Sequence, residues 1–257
     1  MAQQQIPENK FVPLVTLEPL HTLNAFRFSL GLGPSRNLIS STLGAKEIPP
    51  ENSPAYQGDT SLPRNVCAPI PAELNCRLWI TGLPEGCTVN KLLSCIRCIG
   101  PIFACHITRP KQAGTKAWET AAASLTFFTA DAANHFLEQD AVRPFTVDGH
   151  RTKIVRHRIR TESVDVKGRS RVLQIVGDPE VVRPEYLERL ITEEWNVRFD
   201  TDFMRFEADE ERKLNKIVWA FGSFRAQAHT VCMKINKYFV GRAQAIYIAD
   251  PCVQGGH

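Results

Sequence analysis

Residues 76–102 read CRLWITGLPEGCTVNKLLSCIRCIGPI. In RLWITGL (77–83) the aliphatic residues Leu78 and Ile80 alternate with Arg77, Trp79 and Thr81 at the period of a strand, and the turn residues of Leu-Pro-Glu-Gly then end it. From Thr88 onward the period lengthens. Val89, Leu92, Leu93, Ile96 and Ile99 fall on one helical face, with Thr88 placed as N-cap and Gly100 as a stop. Strand is thus followed by helix. Strand parity sends Leu78 and Ile80 to the helix side and Trp79 to the other face, where a large aromatic needs a reason to be.

The pattern continues outward from there. PIFACHIT (101–108) and ETAAASLTFFT (119–129) read as strands around a polar loop, ADAANHFLEQD (130–140) as a helix and RTKIVRH (151–157) as a fourth strand. The order βαββαβ then recurs. RVLQIVG (171–177), VRFDTDFMRFEA (197–208), NKIVWAFGSF (215–224) and AQAIYIA (243–249) are strands, and RPEYLERLITEEW (183–195) and RAQAHTVCMKINKYF (225–239) are helices. A sheet with both helices on one face leaves the other uncovered.

This arrangement resembles a tandem RNA recognition motif (RRM) protein, in which bases stack on aromatics of the two central strands. The resemblance covers about two thirds of the chain. Leu78-Trp79-Ile80-Thr81-Gly82-Leu83 fits every position of the first-strand motif. The third strand of the first copy, Thr120 to Phe127, keeps the inward residues Ala123, Leu125 and Phe127 but has Ala122 and Ser124 at both stacking positions. Trp118 lies two residues earlier; it shares the face of Trp79 if the strand reaches that far and is a loop residue if not. In the second copy Gln174 replaces the first-strand aromatic, while Trp219 and Phe221 occupy the stacking positions of Ile217 to Phe224, with Phe224 inward.

The expected fold is therefore α+β. A largely disordered leader (1–65) precedes two ferredoxin-like βαββαβ RRM domains, at 74–160 and 170–252, joined by a basic linker at 161–169. The leader holds eight of the seventeen prolines and no sustained period. Its segment FVPLVTLEPLHTLNAFRF is apolar enough to fold back onto a sheet.

Charge is modest overall, at +4, but uneven. Residues 151–171 carry eight Lys or Arg against two acids, a strip able to hold phosphates without choosing sequence. Arg151, Lys153, Arg156 and Arg158 are its candidates, within a run that ends at Arg171. The resemblance implies single-stranded RNA as partner, with Trp79, Trp219 and Phe221 stacking bases and Gln174 hydrogen-bonding a base edge. A second reading is a protein partner at an aromatic sheet face, which RRM-like domains with eroded motifs commonly use.

Other chemistry finds little support. Cys95 and Cys98 lie within a helix while Cys105 and His106 point to opposite faces of a strand, so four convergent metal ligands are hard to assemble. The acids of EADEER (207–212) read as a solvated loop. No nucleophile elbow, phosphate loop or metalloprotease motif is present, and neither catalysis nor a cofactor is expected. The eight cysteines are expected to be reduced thiols. An intracellular protein without membrane association is expected, its compartment open.

Overall fold

The structure, a computed structural model, describes residues 67–110 and 119–253. The leader and Trp118 lie outside the described residues.

In the first domain, β1 (Arg77–Leu83) leads to α1 (Val89–Ser94), β2 (Ile102–Thr108), β3 (Ala121–Phe127) and α2 (Ala130–Val142). A two-residue hairpin, β4 (Thr146–Val147) with β5 (His150–Arg151), precedes the last strand of the sheet, β6 (Lys153–Arg156). The antiparallel sheet has the order β2-β3-β1-β6. In the second domain β7 (Val172–Gly177), α3 (Pro184–Arg189), β8 (Thr201–Asp209), β9 (Leu214–Phe221), α4 (His229–Tyr238) and β10 (Ala243–Tyr247) repeat the plan. Its sheet order, β10-β7-β9-β8, is the same arrangement. These are two RRM-like βαββαβ domains in tandem. No helix among the described residues is long and apolar enough to cross a membrane.

Local chemistry accounts for the boundaries. The Thr88 hydroxyl accepts the Lys91 N–H at 3.2 Å and the Thr129 hydroxyl accepts the Ala132 N–H at 3.3 Å, satisfying donors that the first turn of each helix leaves free. Helix α1 stops at Ser94, earlier than its apolar period suggests, and Ile96 and Ile99 reach the core from an irregular turn. Gly100 has no side chain for a steric reason: a Cβ there would sit 2.5 Å from the Ala132 Cβ.

Each sheet packs its helices over one face. Leu78, Ile80, Ala123, Leu125 and Phe127 meet Leu92, Leu93, Ala133 and Phe136 in the first core. Leu173, Ile175, Ile217, Trp219 and Phe221 meet Leu187, Ile191, Val231 and Ile235 in the second. Cys252, beyond the last strand of the second domain, is buried in the core of the first.

The domains are joined by backbone as well as side chains. The Cys105 N–H donates to the Gly222 carbonyl at 2.7 Å, and Ala104 bridges Ser223. Phe224 meets Phe103 and Phe128 at centroid distances of 6.0 and 5.4 Å, while Phe103 and Phe128 are 5.3 Å apart.

Candidate nucleic-acid interface

Antiparallel register fixes what the outer face of each sheet, away from its helices, presents. In the first domain His106 lies opposite Ser124, Ser124 opposite Trp79, and Trp79 opposite Val155, a row that crosses all four strands. Trp79 is partly buried in its middle, and the strand alternation expected for it is observed. The neighbouring row holds Ala104, Thr126 and Arg77. Beside it stands His157, whose N–H donates to the Arg77 carbonyl at 2.9 Å. On the other side Thr81 lies opposite Lys153.

The side chains of this face are held. His157 sits against Trp79 with ring centroids 5.6 Å apart and planes at 74°. Arg77 donates from Nε to the Ser124 hydroxyl at 2.8 Å, so a cation occupies the neighbourhood where the resemblance places an aromatic. Burial, with Arg77 and Arg158 nearby, pushes the His157 pKa down to about 4. The imidazole is neutral at pH 7. Farther along, Phe103 and Phe128 are committed to Phe224 of the second domain, while Trp79 has His157 beside it and His106 at the β2 end of its row.

The basic strip divides. Lys153 and Arg151 are exposed on β6 and β5, and Arg158 is partly buried just beyond β6. Arg156 is a correction to the expected phosphate contacts. It pairs with Leu78 on the helix side, donating to the Asn75 carbonyl at 3.0 Å and to the Asn134 side chain. The alternation that carries Ile154 inward carries Arg156 with it. Arg171 is a second correction, being fully buried in an ion cluster with Asp250 and Asp202. Arg160, the last residue of the expected first domain, binds the carbonyl of Ile70, and Thr161, the first of the expected linker, donates its N–H to the Asn75 side chain of the first domain.

The second domain overturns the expected platform. Trp219 and Phe221 lie on the helix side of β9, 1% and 0% exposed, stacked on each other at 5.0 Å and both edge-on to Phe199. The Trp219 Nε1–H donates to the Thr201 hydroxyl at 3.1 Å. Leu173 lies opposite Trp219 and Ile175 opposite Ile217, so the inward residues of β7 bring those of β9 in with them. Neither ring can stack a base in this position.

The outer face of this sheet is instead a row of Ile246, Gln174, Val218 and Arg205. Gln174 does stand on it. A bulge between Thr201 and Phe203 shifts the phase of β8 and puts Phe203 opposite Ala220, on the outer face, with the Arg205 guanidinium 5.5 Å from its ring centroid. Sequence reading missed Phe203 because residues 203–206, Phe-Met-Arg-Phe, show no alternation that announces the bulge.

No family model matches the sequence, and neither does any curated protein. Among solved structures, the chain is similar to RNA recognition domains 1 and 2 of Sex-lethal from Drosophila melanogaster, at 16% identity and TM-score 0.24, covering 68% of this chain and 100% of that one. It is similar to the first two RRM domains of the yeast poly(U)-binding protein Pub1, at 14% identity and TM-score 0.28, with coverages of 68% and 99%. A third is the N-terminal three RNA-binding domains of the yeast splicing factor Prp24, at 11% identity and TM-score 0.30, with coverages of 68% and 64%. The fold assignment stands on strand order and register.

Proposed function

We propose that this protein binds single-stranded RNA, without catalysis, on the outer face of its first domain. Trp79 stacks one base. Lys153, Arg151 and Arg158 hold neighbouring phosphates, and Gln174 offers a hydrogen bond from the second sheet. The observation that carries this reading is the row His106, Ser124, Trp79, Val155, in which an indole stands on a strand face opposite the helices with Lys153 two residues along β6 on the same face. Stacking on one indole contributes about 1–3 kcal/mol, so the phosphate contacts supply most of the affinity.

Fluorescence anisotropy of the full chain with a randomised single-stranded RNA pool, at two salt concentrations, tests this. Salt-sensitive binding that folded Trp79→Ala weakens supports it. No binding at either salt concentration rejects it.

A second reading, a protein-docking face, has one observation in its favour. The outer face of the second sheet carries aliphatic Val176, Val218 and Ile246 and no aromatic on its central strands. Binding of a protein there would be weakly salt-dependent and would be lost in Val218→Asp.

A further inference from the structure

The helix side of the second domain gathers rings and cations that the RNA reading does not use. Trp195, which caps the turn Leu190–Glu194 after α3, and Tyr238, the last residue of α4, have ring centroids 6.1 Å apart and planes at 30°. Lys234 stands four residues before Tyr238, so the two are neighbours on the helix surface, and its Nζ lies over the Trp195 ring at 5.5 Å. The Lys237 Nζ lies over the Tyr238 ring at 5.3 Å. Next in the chain, Phe239 meets Tyr186 of α3 at 6.4 Å, and the Arg183 guanidinium is 6.0 Å from the Tyr186 centroid. Three rings thus each carry a cation.

These cations are not neutralised by carboxylates. Residues 225–242 contain no Asp or Glu. Arg242, at their end, does pair with Asp178 at 2.9 Å and Glu180 at 3.3 Å. Among the described residues no carboxylate lies within ion-pairing distance of Lys234, Lys237 or Arg183, although Glu193 and Glu194 precede Trp195 in the chain. Uncovered apolar surface adjoins the charge. Met233, Tyr238 and Val240 are each more than half exposed, and Met233 lies one helical turn before Lys237.

That combination selects a partner. A nucleobase stacks on an open ring face, whereas here Trp195, Tyr238 and Tyr186 each have a cation over a face. Carboxylates reach those cations directly, and apolar side chains between the carboxylates cover Met233, Tyr238 and Val240. We propose that this surface, built on Trp195, Lys234, Lys237 and Tyr238, docks an acidic segment of a partner protein in which Asp or Glu is interspersed with aromatic or aliphatic residues. It lies on the side of the second sheet that holds the helices, so its occupation leaves the row of Gln174 uncovered and is independent of the RNA reading.

The test titrates the full chain, labelled with nitrogen-15, with synthetic peptides in which pairs of Glu flank single Phe or Leu residues, with the same peptides carrying Lys for Glu, and with single-stranded RNA. The acidic peptides are expected to shift the Trp195 indole N–H signal, assigned through Trp195→Phe, and to leave that of Trp79 in place. The charge-reversed double variant Lys234→Glu/Lys237→Glu is expected to bind them about tenfold more weakly or worse at an unchanged melting temperature. Lys234→Arg/Lys237→Arg keeps both charges and is expected to bind as wild type does. Met233→Asp, a change at an exposed position, is expected to weaken binding by loss of apolar cover and added repulsion. Acidic peptides that leave the Trp195 signal unmoved, or that bind no better than the basic set, overturn the proposal. Undiminished binding to the folded charge-reversed protein does the same. RNA that moves the Trp195 signal and displaces the peptide makes this surface a nucleic-acid contact and also overturns it.

Discussion

Arg171 and Asp250 form a bidentate pair, Nε to Oδ2 and Nη2 to Oδ1, each at 2.9 Å, with both residues buried. The same carboxylate accepts the Ile102 N–H at 3.0 Å, and Arg171 reaches Asp202 at 2.8 Å. Asp202 in turn accepts from Asn90 at 3.2 Å. Ile102 and Asn90 belong to the first domain and the other residues to the second. Burial opposes the charge on Arg171, but Asp250 and Asp202 overcome it and raise its pKa. Such a cluster adds little net stability over an apolar one; its bonds define a geometry whose loss is costly.

Asp250→Ala is expected to destabilise the protein by about 3–5 kcal/mol, because it leaves Arg171 partly uncompensated and the Ile102 N–H without its acceptor. Urea unfolding followed by tryptophan fluorescence measures this. Exposed Glu210→Ala, the control, is expected to shift stability by less than about 0.5 kcal/mol.

The two tryptophans of the central strands should separate by phenotype. Trp219→Ala removes a packed core ring and is expected to cost about 3–5 kcal/mol of stability. Trp79→Ala is expected to leave the protein folded and weaken RNA binding by about 1–3 kcal/mol. Thermal melts and anisotropy on the same preparations distinguish them. A folded Trp219→Ala protein that has lost RNA binding would return that ring to the interface.

Salt should sort the basic residues in the same way. Lys153→Ala is expected to lower the slope of log affinity against log salt by about one. Arg156→Ala is expected to leave the slope unchanged and reduce stability, since its guanidinium is bonded to Asn75 and Asn134.

His157 links folding to pH. Its pKa is about 4 in the fold against an ordinary 6.5, so between those values the unfolded chain binds more protons. Its contribution is complete above pH 6.5 and is lost as pH falls towards 4. Allowing for partial exposure, this amounts to about 1–2 kcal/mol. Denaturation midpoints of wild type and His157→Phe between pH 7 and 4.5 are expected to show a smaller acid loss in the variant.

The architecture was legible because each copy contains strands and helices whose periods differ, and Trp79 was legible because Arg77 and Thr81, two positions to either side on its own face, set the phase of RLWITGL. Strand β9 offers no such phase. In Ile217-Val218-Trp219-Ala220-Phe221 every position is apolar, so the family motif suggests one face and the pairing with Leu173 and Ile175 imposes the other. Arg156 and Arg171 looked alike to charge counting, which cannot see that one faces a helix and the other two carboxylates. Phe203 depends on a bulge, a backbone event with little trace in side-chain alternation.

The docking of Asp250 and Cys252 into the first domain also bears on how the chain is made. Asp250 meets Ile102 across 148 positions, and Cys252 meets Leu93 across 159. On the ribosome the first sheet and its helices emerge early, yet the acceptor for Ile102 and the thiol that completes that core are synthesised after every strand of both sheets. The earlier of these two domains to be translated is therefore the later to be finished, and it must wait, with that part of its core uncovered, until the other has been made.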